Sequence, residues 1–208
     1  MPRRRHPPAP PPAPFVANVP WLDFVNTRFR DRNRWVDAIP TPRALATWLQ
    51  TAGLAPGSAS ALAALRGRPG GARVLREAHA LRASLAELAA ALVARAEPPP
   101  ARVNAINRVL RTAPTYGELR RSKEGFIRRA MPAGRDALAL LGPVAESAAD
   151  FLARGDRQRL RACGNPRCVL YFYDRTRNGH RRFCSASTCG NRVKAARRYH
   201  RLRAEQSG

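Results

Sequence analysis

The stretch CGNPRCVLYFYDRTRNGHRRFCSASTCGNR, running from Cys163 to Arg192, contains all four cysteines of the 208-residue chain. They fall as two close pairs, Cys163 with Cys168 and Cys184 with Cys189, separated by fifteen residues. Two pairs at that spacing suit a closed tetrahedral zinc site, which takes four thiolates at about 2.3 Å. The Gly164-Asn165-Pro166 run supplies the residues that a sharp knuckle requires. VLYFYDRTRNGHRRF between the pairs reads as strand, turn, strand, with Arg177-Asn178-Gly179 at the tip. Ser185 is expected to cap a helix reaching about Arg203, with Cys189 in its first turn, where the helix dipole favours a thiolate. Knuckle, hairpin and ligand-bearing helix together describe a treble-clef finger built around one structural zinc. Two disulfides are the alternative, disfavoured in a cytoplasmic chain. Zinc here holds a module too small to hold itself, so Cys168→Ser is expected to unfold the finger and spare the rest.

The charge follows the cysteines. The chain carries 38 Lys and Arg against 14 Asp and Glu, a net +24. Residues 157–208 hold fourteen of those cations against Asp174 and Glu205, so half of the net charge sits in a quarter of the length. Only Lys123 and Lys194 are lysine. Arginine excess fits forked phosphate and base contacts, but it also fits a GC-rich genome, and alanine richness favours that plainer source for much of the chain.

On a helical wheel Lys194, Arg197, Arg198 and Arg201 share an arc of about 100°, with Ala195, Ala196, Tyr199 and Leu202 on the other side as a face that can pack. The hairpin adds Arg175, Arg177, Arg181 and Arg182, and Arg192 follows the last cysteine. Asn178 and Asn191 have side chains able to read a base edge. Four thiolates with a divalent ion leave about −2, so two or three arginines suffice to neutralise the site. Nucleic acid is therefore the expected partner, duplex DNA ahead of RNA. An RNA- or ribosome-associated protein and an interaction adaptor with purely structural zinc are the alternatives.

Outward from the finger, three regions emerge: a Pro/Arg tail over 1–14, a mainly helical α+β domain with a small β-sheet over 15–156, and the finger over 157–208. Thr41-Pro42 signals a helix start for a helix over 42–51 that Gly53 stops. A weaker helix covers 59–65, and Arg68-Pro-Gly-Gly breaks the chain. The longest helix runs from about Ala72 to Ala96, with Val74, Ala78, Leu81, Leu85, Leu88 and Leu92 forming one stripe. A short helix carries Val103, Ile106 and Leu110. TYGELRRSKEGFIRRA, 115–130, reads as two strands around a Ser-Lys-Glu-Gly turn. Helical spacing returns over 137–153, where Pro143 kinks the helix or opens it.

Trp21, Asp23, Asn26 and Arg28, with Phe24 and Thr27 among them, mix aromatic and polar groups as a small-ligand pocket does. The plainer reading is favoured for the individual residues: Asn26 and Thr27 cap a turn while Trp21 and Phe24 are core. His79 reads as a partly buried structural histidine, and His180 as solvated or touching phosphate. No apolar run is long enough to span a membrane, and the basic start lacks the apolar stretch of a secretory signal, so the chain reads as cytoplasmic. Neither a nucleophile elbow, a phosphate loop, HExxH nor paired catalytic carboxylates occur, so it does not read as an enzyme.

CGNPRC, FYDRTRNGHRRFCS and CGNRVKAARRY closely resemble the CGNR zinc-finger family, whose signature here is Cys189-Gly190-Asn191-Arg192. Its members usually join the finger to an ABATE domain, described as a "putative stress-induced transcription regulator". LDFVNTR at 22–28, TPRALATWL at 41–49 and INRVL at 106–110 are similar to that domain. The resemblance spans about residues 15–204. It implies zinc on Cys163, Cys168, Cys184 and Cys189, a treble clef, a proposed DNA-binding role, and a mainly helical front domain that senses a ligand. A small-molecule effector and a homodimer are the further partners this reading admits. Phe183 stands where a tryptophan is common, and Ser185-Ala-Ser-Thr lacks the bulkier apolar residue often found there.

Overall fold

A proline opens the first helix. The computed structural model describes residues 13–55, 59–66, 70–133 and 137–206. Most of the expected tail and the break at Arg68-Pro69 lie outside them. Helix α1, Pro20–Val25, has proline in its first turn, where the missing N–H costs nothing. It buries Trp21, Leu22, Phe24 and Val25. Strands β1, Arg28–Asp31, and β2, Arg34–Asp37, pair antiparallel with Phe29 opposite Val36. Arg32 and Asn33 make the two-residue turn, both at positive φ, the conformation whose twist matches a right-handed ribbon.

Helix α2, Pro42–Thr51, is capped by Thr41, whose hydroxyl accepts from the Ala44 N–H at 3.1 Å. Gly53, at φ +68°, follows its end. Helix α3, Ala59–Arg66, leads to α4, Gly70–Val93, the spine of the molecule. All six stripe positions from Val74 to Leu92 are buried. At Gly71 a Cβ would stand 2.2 Å from the Leu65 carbonyl, so only glycine lets α4 start this close to α3. Helix α5, Pro100–Thr112, lays Ile106 into the same core.

Strands β3, Thr115–Ser122, and β4, Gly125–Pro132, form a ribbon turned by Lys123-Glu124. Tyr116, Leu119, Phe126 and Ile127 are all exposed, so both ribbon faces meet solvent. After a 3-10 turn at Ala137–Leu141, Pro143 opens rather than kinks α6, Gly142–Arg154. Helix α1 packs on both α4 and α6, with the Trp21 and Phe151 rings 5.5 Å apart.

Strand β5, Leu160–Ala162, pairs antiparallel with β6, Tyr171–Tyr173. Last comes α7, Asn191–Gln206, preceded by a π-helical turn over Ala186–Gly190. The fold is α+β, mainly helical, and among the described residues its β structure is three separate two-stranded ribbons. Among the described residues no helix is long and apolar enough to cross a membrane.

Candidate metal centre and nucleic-acid face

The knuckle forms because β5 and β6 pair on either side of it. The Cys163 N–H donates to the Leu170 carbonyl at 2.9 Å, and the Cys168 N–H to the Asn165 carbonyl at 2.8 Å. The buried Asn165 also accepts from the Arg167 N–H at 3.1 Å. The second pair sits at the start of the π turn, where Ser185 accepts from the Thr188 N–H at 3.2 Å as expected of the cap. Gly164 N–H reaches the Arg182 carbonyl at 2.8 Å and ties the two halves together.

The four sulfur atoms all lie within 4.8 Å of one another. Cys168 and Cys184 are 3.9 Å apart, and Cys184 and Cys189 are 3.6 Å apart. A tetrahedron of 2.3 Å zinc–sulfur bonds has edges of about 3.8 Å, so the cluster fits one structural zinc ion. The close sulfurs also couple the thiols to one another. Hydrogen bonds from Cys168 and Cys184 pull the Cys163 thiol far down, and the same bonds push Cys168 and Cys184 up. Four thiolates cannot share this space without a cation, and a bound divalent ion supplies that charge. The Cys184 N–H lies 3.4 Å from the Cys163 sulfur as an outer-sphere donor.

The sequence reading placed a second strand after the Arg177-Asn178-Gly179 tip, and the structure corrects it. The partner of β6 is β5, before the first cysteine, and residues 174–185 form no strand. Asp174 is the physical reason. Its fully buried carboxylate accepts from the Thr176 N–H at 2.9 Å, from the Thr176 hydroxyl at 2.6 Å and from the Arg181 N–H at 2.8 Å. One side chain thus gathers backbone groups that a ladder would otherwise use. Burial pushes this carboxyl up, but those bonds and the nearby Arg159 outweigh it and hold it below the usual range.

Arg181 is the second correction. Its guanidinium stacks over Phe172, 4.4 Å from the ring centre. Its nitrogens donate to the carbonyls of Phe183 at 2.9 Å, Val16 at 3.1 Å and Cys184. It is an internal clamp, and no longer a candidate for phosphate. Arg175, Arg177, Asn178, Arg182, Asn191, Arg192, Lys194, Arg197, Arg198 and Arg201 are exposed. The Asn178 side chain accepts from the His180 N–H at 3.3 Å, shaping the tip.

Helix α7 departs from expectation too. The side carrying Ala195, Ala196, Tyr199 and Leu202 does not pack: Tyr199 and Leu202 are 56% and 45% exposed, and no α7 residue is buried. Two alanines and only two larger groups give too little apolar area to hold a face down.

In the front motif Trp21 and Phe24 are core, as the plainer reading expects, while the Asn26 side chain leaves its own turn. Trp21 is closed off in the core. Asp23 accepts from the Val16 and Ala17 N–H groups at 3.0 and 2.9 Å, and burial pushes its carboxyl up against their pull. Asn26 reaches the finger: its Nδ2 donates to the Tyr171 carbonyl at 2.8 Å, and its Oδ1 accepts from the Tyr171 N–H at 3.0 Å. A side-chain amide thus serves as an extra strand for β6. Asn26→Ala is expected to cost about 1–3 kcal/mol by orphaning both Tyr171 groups, as thermal or urea unfolding would measure. An unchanged midpoint would count against this pairing. Of the four pocket candidates, Arg28 borders a cleft.

Sequence reasoning missed the pairing of the buried Arg82 with Asp37 and the clamps Asp174, Arg181 and Asn26. One signal was available. Asp174 is one of only two acids in the last quarter, and an isolated acid among fourteen cations has many reasons to be tied down.

Two family models match the chain. Residues 18–155 match ABATE, described as "putative stress-induced transcription regulator", and residues 159–202 match the CGNR zinc finger. No curated protein matches the chain. The first match alone covers more than half of the sequence, and the second falls on the four-cysteine cluster. The chain belongs to the ABATE family and carries a CGNR zinc finger.

Proposed function

We propose that this protein is a zinc-dependent DNA-binding transcription regulator of the cytoplasm, in which region 15–156 positions a treble-clef finger, 157–208, on duplex DNA. Helix α7 carries the reading: it stands clear of both cores with Lys194, Arg197, Arg198 and Arg201 along one exposed arc. Such a helix has the dimensions of a major-groove reader. Arg192 and Asn191 lie at its start, beside the metal centre, and the exposed Arg175, Arg177 and Arg182 of the finger are further candidates for backbone contacts. The family description, a transcription regulator, agrees with this assignment. Arg201 lies 3.9 Å from the Glu205 carboxylate, an exposed pair worth little.

If about six phosphates are contacted, the logarithm of affinity falls against that of salt with a slope near −5. Replacing the four arc residues by alanine should flatten it to about −2. Fluorescence anisotropy with random duplex DNA, zinc-loaded protein and a salt series measures both slopes. Binding without salt dependence would sink the proposal. Tighter binding to structured RNA in competition would move the assignment to RNA, and unchanged affinity in the fourfold variant would favour an interaction adaptor.

A further inference from the structure

The β1–β2 ribbon, helix α4 and the finger knuckle enclose a cleft of about 750 Å³. That volume lies within the usual range for small-molecule sites. From this cleft we infer a site for a small planar organic anion, an aromatic carboxylate, held between the Arg28–Trp35 pair of the front region and the Val169–Tyr171 wall of the finger. The inference goes beyond the nucleic-acid reading and requires no nucleic acid.

The charge inside the cleft selects an anion. Arg82 and Asp37 also border it, but they cancel, joined by two hydrogen bonds of 2.8 and 2.5 Å. His79 donates through Nε2 to the Ile39 carbonyl at 2.9 Å. Arg28 remains. Its guanidinium lies 5.0 Å from the Trp35 ring centre and forms no ion pair among the described residues.

The aromatic part follows from Trp35, a 54% exposed indole with Arg30 also over its ring at 5.3 Å. A flat ligand can slide over that indole while its carboxylate takes the fork of Arg28. The opposite wall is apolar, through Val169 and the half-buried Tyr171. Asn26 fixes that wall by gripping the Tyr171 backbone. Occupation therefore touches both family segments at once.

The test is calorimetric titration of the full, zinc-loaded chain with benzoate, 2-naphthoate and indole-3-acetate. 2-Naphthamide and inorganic phosphate serve as controls. At least one acid should bind saturably, one per chain, with the amide and phosphate weaker by about tenfold or more. Arg28→Ala and Trp35→Ala, both at exposed side chains, should each weaken that acid about tenfold while leaving the melting temperature in place. Val169→Glu, which adds a repelling carboxylate on the finger side, should do the same. The inference is overturned if no acid saturates at millimolar concentration, if acid and amide bind alike, or if Arg28→Ala changes nothing. Silence of Val169→Glu would overturn the two-sided site.

Discussion

Stripping the metal should loosen the front of the molecule as well as the finger. Phe29 and Val36 of the first ribbon share a hydrophobic cluster with Phe172, Cys184 and Cys189, while Leu160, Tyr171 and Tyr173 join the main core from the finger side. Zinc binding to four thiolates contributes on the order of 10 kcal/mol to folding, comparable to a whole domain's stability. Its loss therefore leaves the finger unfolded and re-exposes the apolar wall that covered Phe29 and Val36. That exposure costs the front region about 2–3 kcal/mol.

The three tryptophans, Trp21, Trp35 and Trp48, all lie outside the finger, and Trp21 and Trp48 sit in the main core, so tryptophan fluorescence follows the unfolding of the front region. In Cys168→Ser, or after chelation, the fluorescence melting midpoint should fall together with the circular-dichroism midpoint. An unshifted tryptophan transition would restore the picture of two independent modules. Metal analysis of the intact protein should give about one zinc per chain.

Asp37→Ala should be the most damaging change outside the metal centre. Arg82 is almost fully buried within α4, and Asp37 is its charge partner, while Thr27 accepts a further bond at 2.9 Å. Removing the carboxylate leaves a buried guanidinium unpaired, a loss of about 3 kcal/mol that equilibrium unfolding in urea would register.

The same pair gives a pH dependence. Burial pushes the Asp37 carboxyl up, but the bonds from Arg82 and the Ile39 N–H outweigh it and hold it below 3.8. A carboxyl depressed by folding stabilises above its unfolded value, and that stability is lost as pH falls through the folded one. The gap between wild type and Asp37→Asn should thus be level at neutral pH and close below 3.8. Acid strips thiolates of metal in both proteins alike, so the difference isolates the pair. A gap that persists unchanged into strong acid would rule out the linkage.

What was legible in the sequence was local. Thr41-Pro42 capped the helix it announced because the cap and its N–H partner lie three residues apart. The α4 stripe and the cysteine spacing likewise carry their meaning within a few turns of chain. Asn26 and Tyr171 lie 145 residues apart, and nothing near either one names the other. Arg181 shows a different limit. An arginine that grips three carbonyls and one that awaits a phosphate have the same chemistry, and only their surroundings separate them. The strand drawn after the hairpin tip failed because one aspartate satisfied the backbone more locally than a ladder could. The β1–β2 ribbon escaped because its turn depends on Arg32 and Asn33 at positive φ, without the usual glycine.

The β3–β4 ribbon has a consequence of another kind. Among the described residues none of its side chains joins either hydrophobic core. Its long outer edges are guarded by arginines rather than covered, which discourages strand-to-strand aggregation. Such a segment is tolerant ground, where a loop can be lengthened, a peptide tag inserted or the backbone nicked without disturbing the remainder. In a molecule whose front and finger are otherwise locked together, it is the place where evolution and protein engineering have freedom to write.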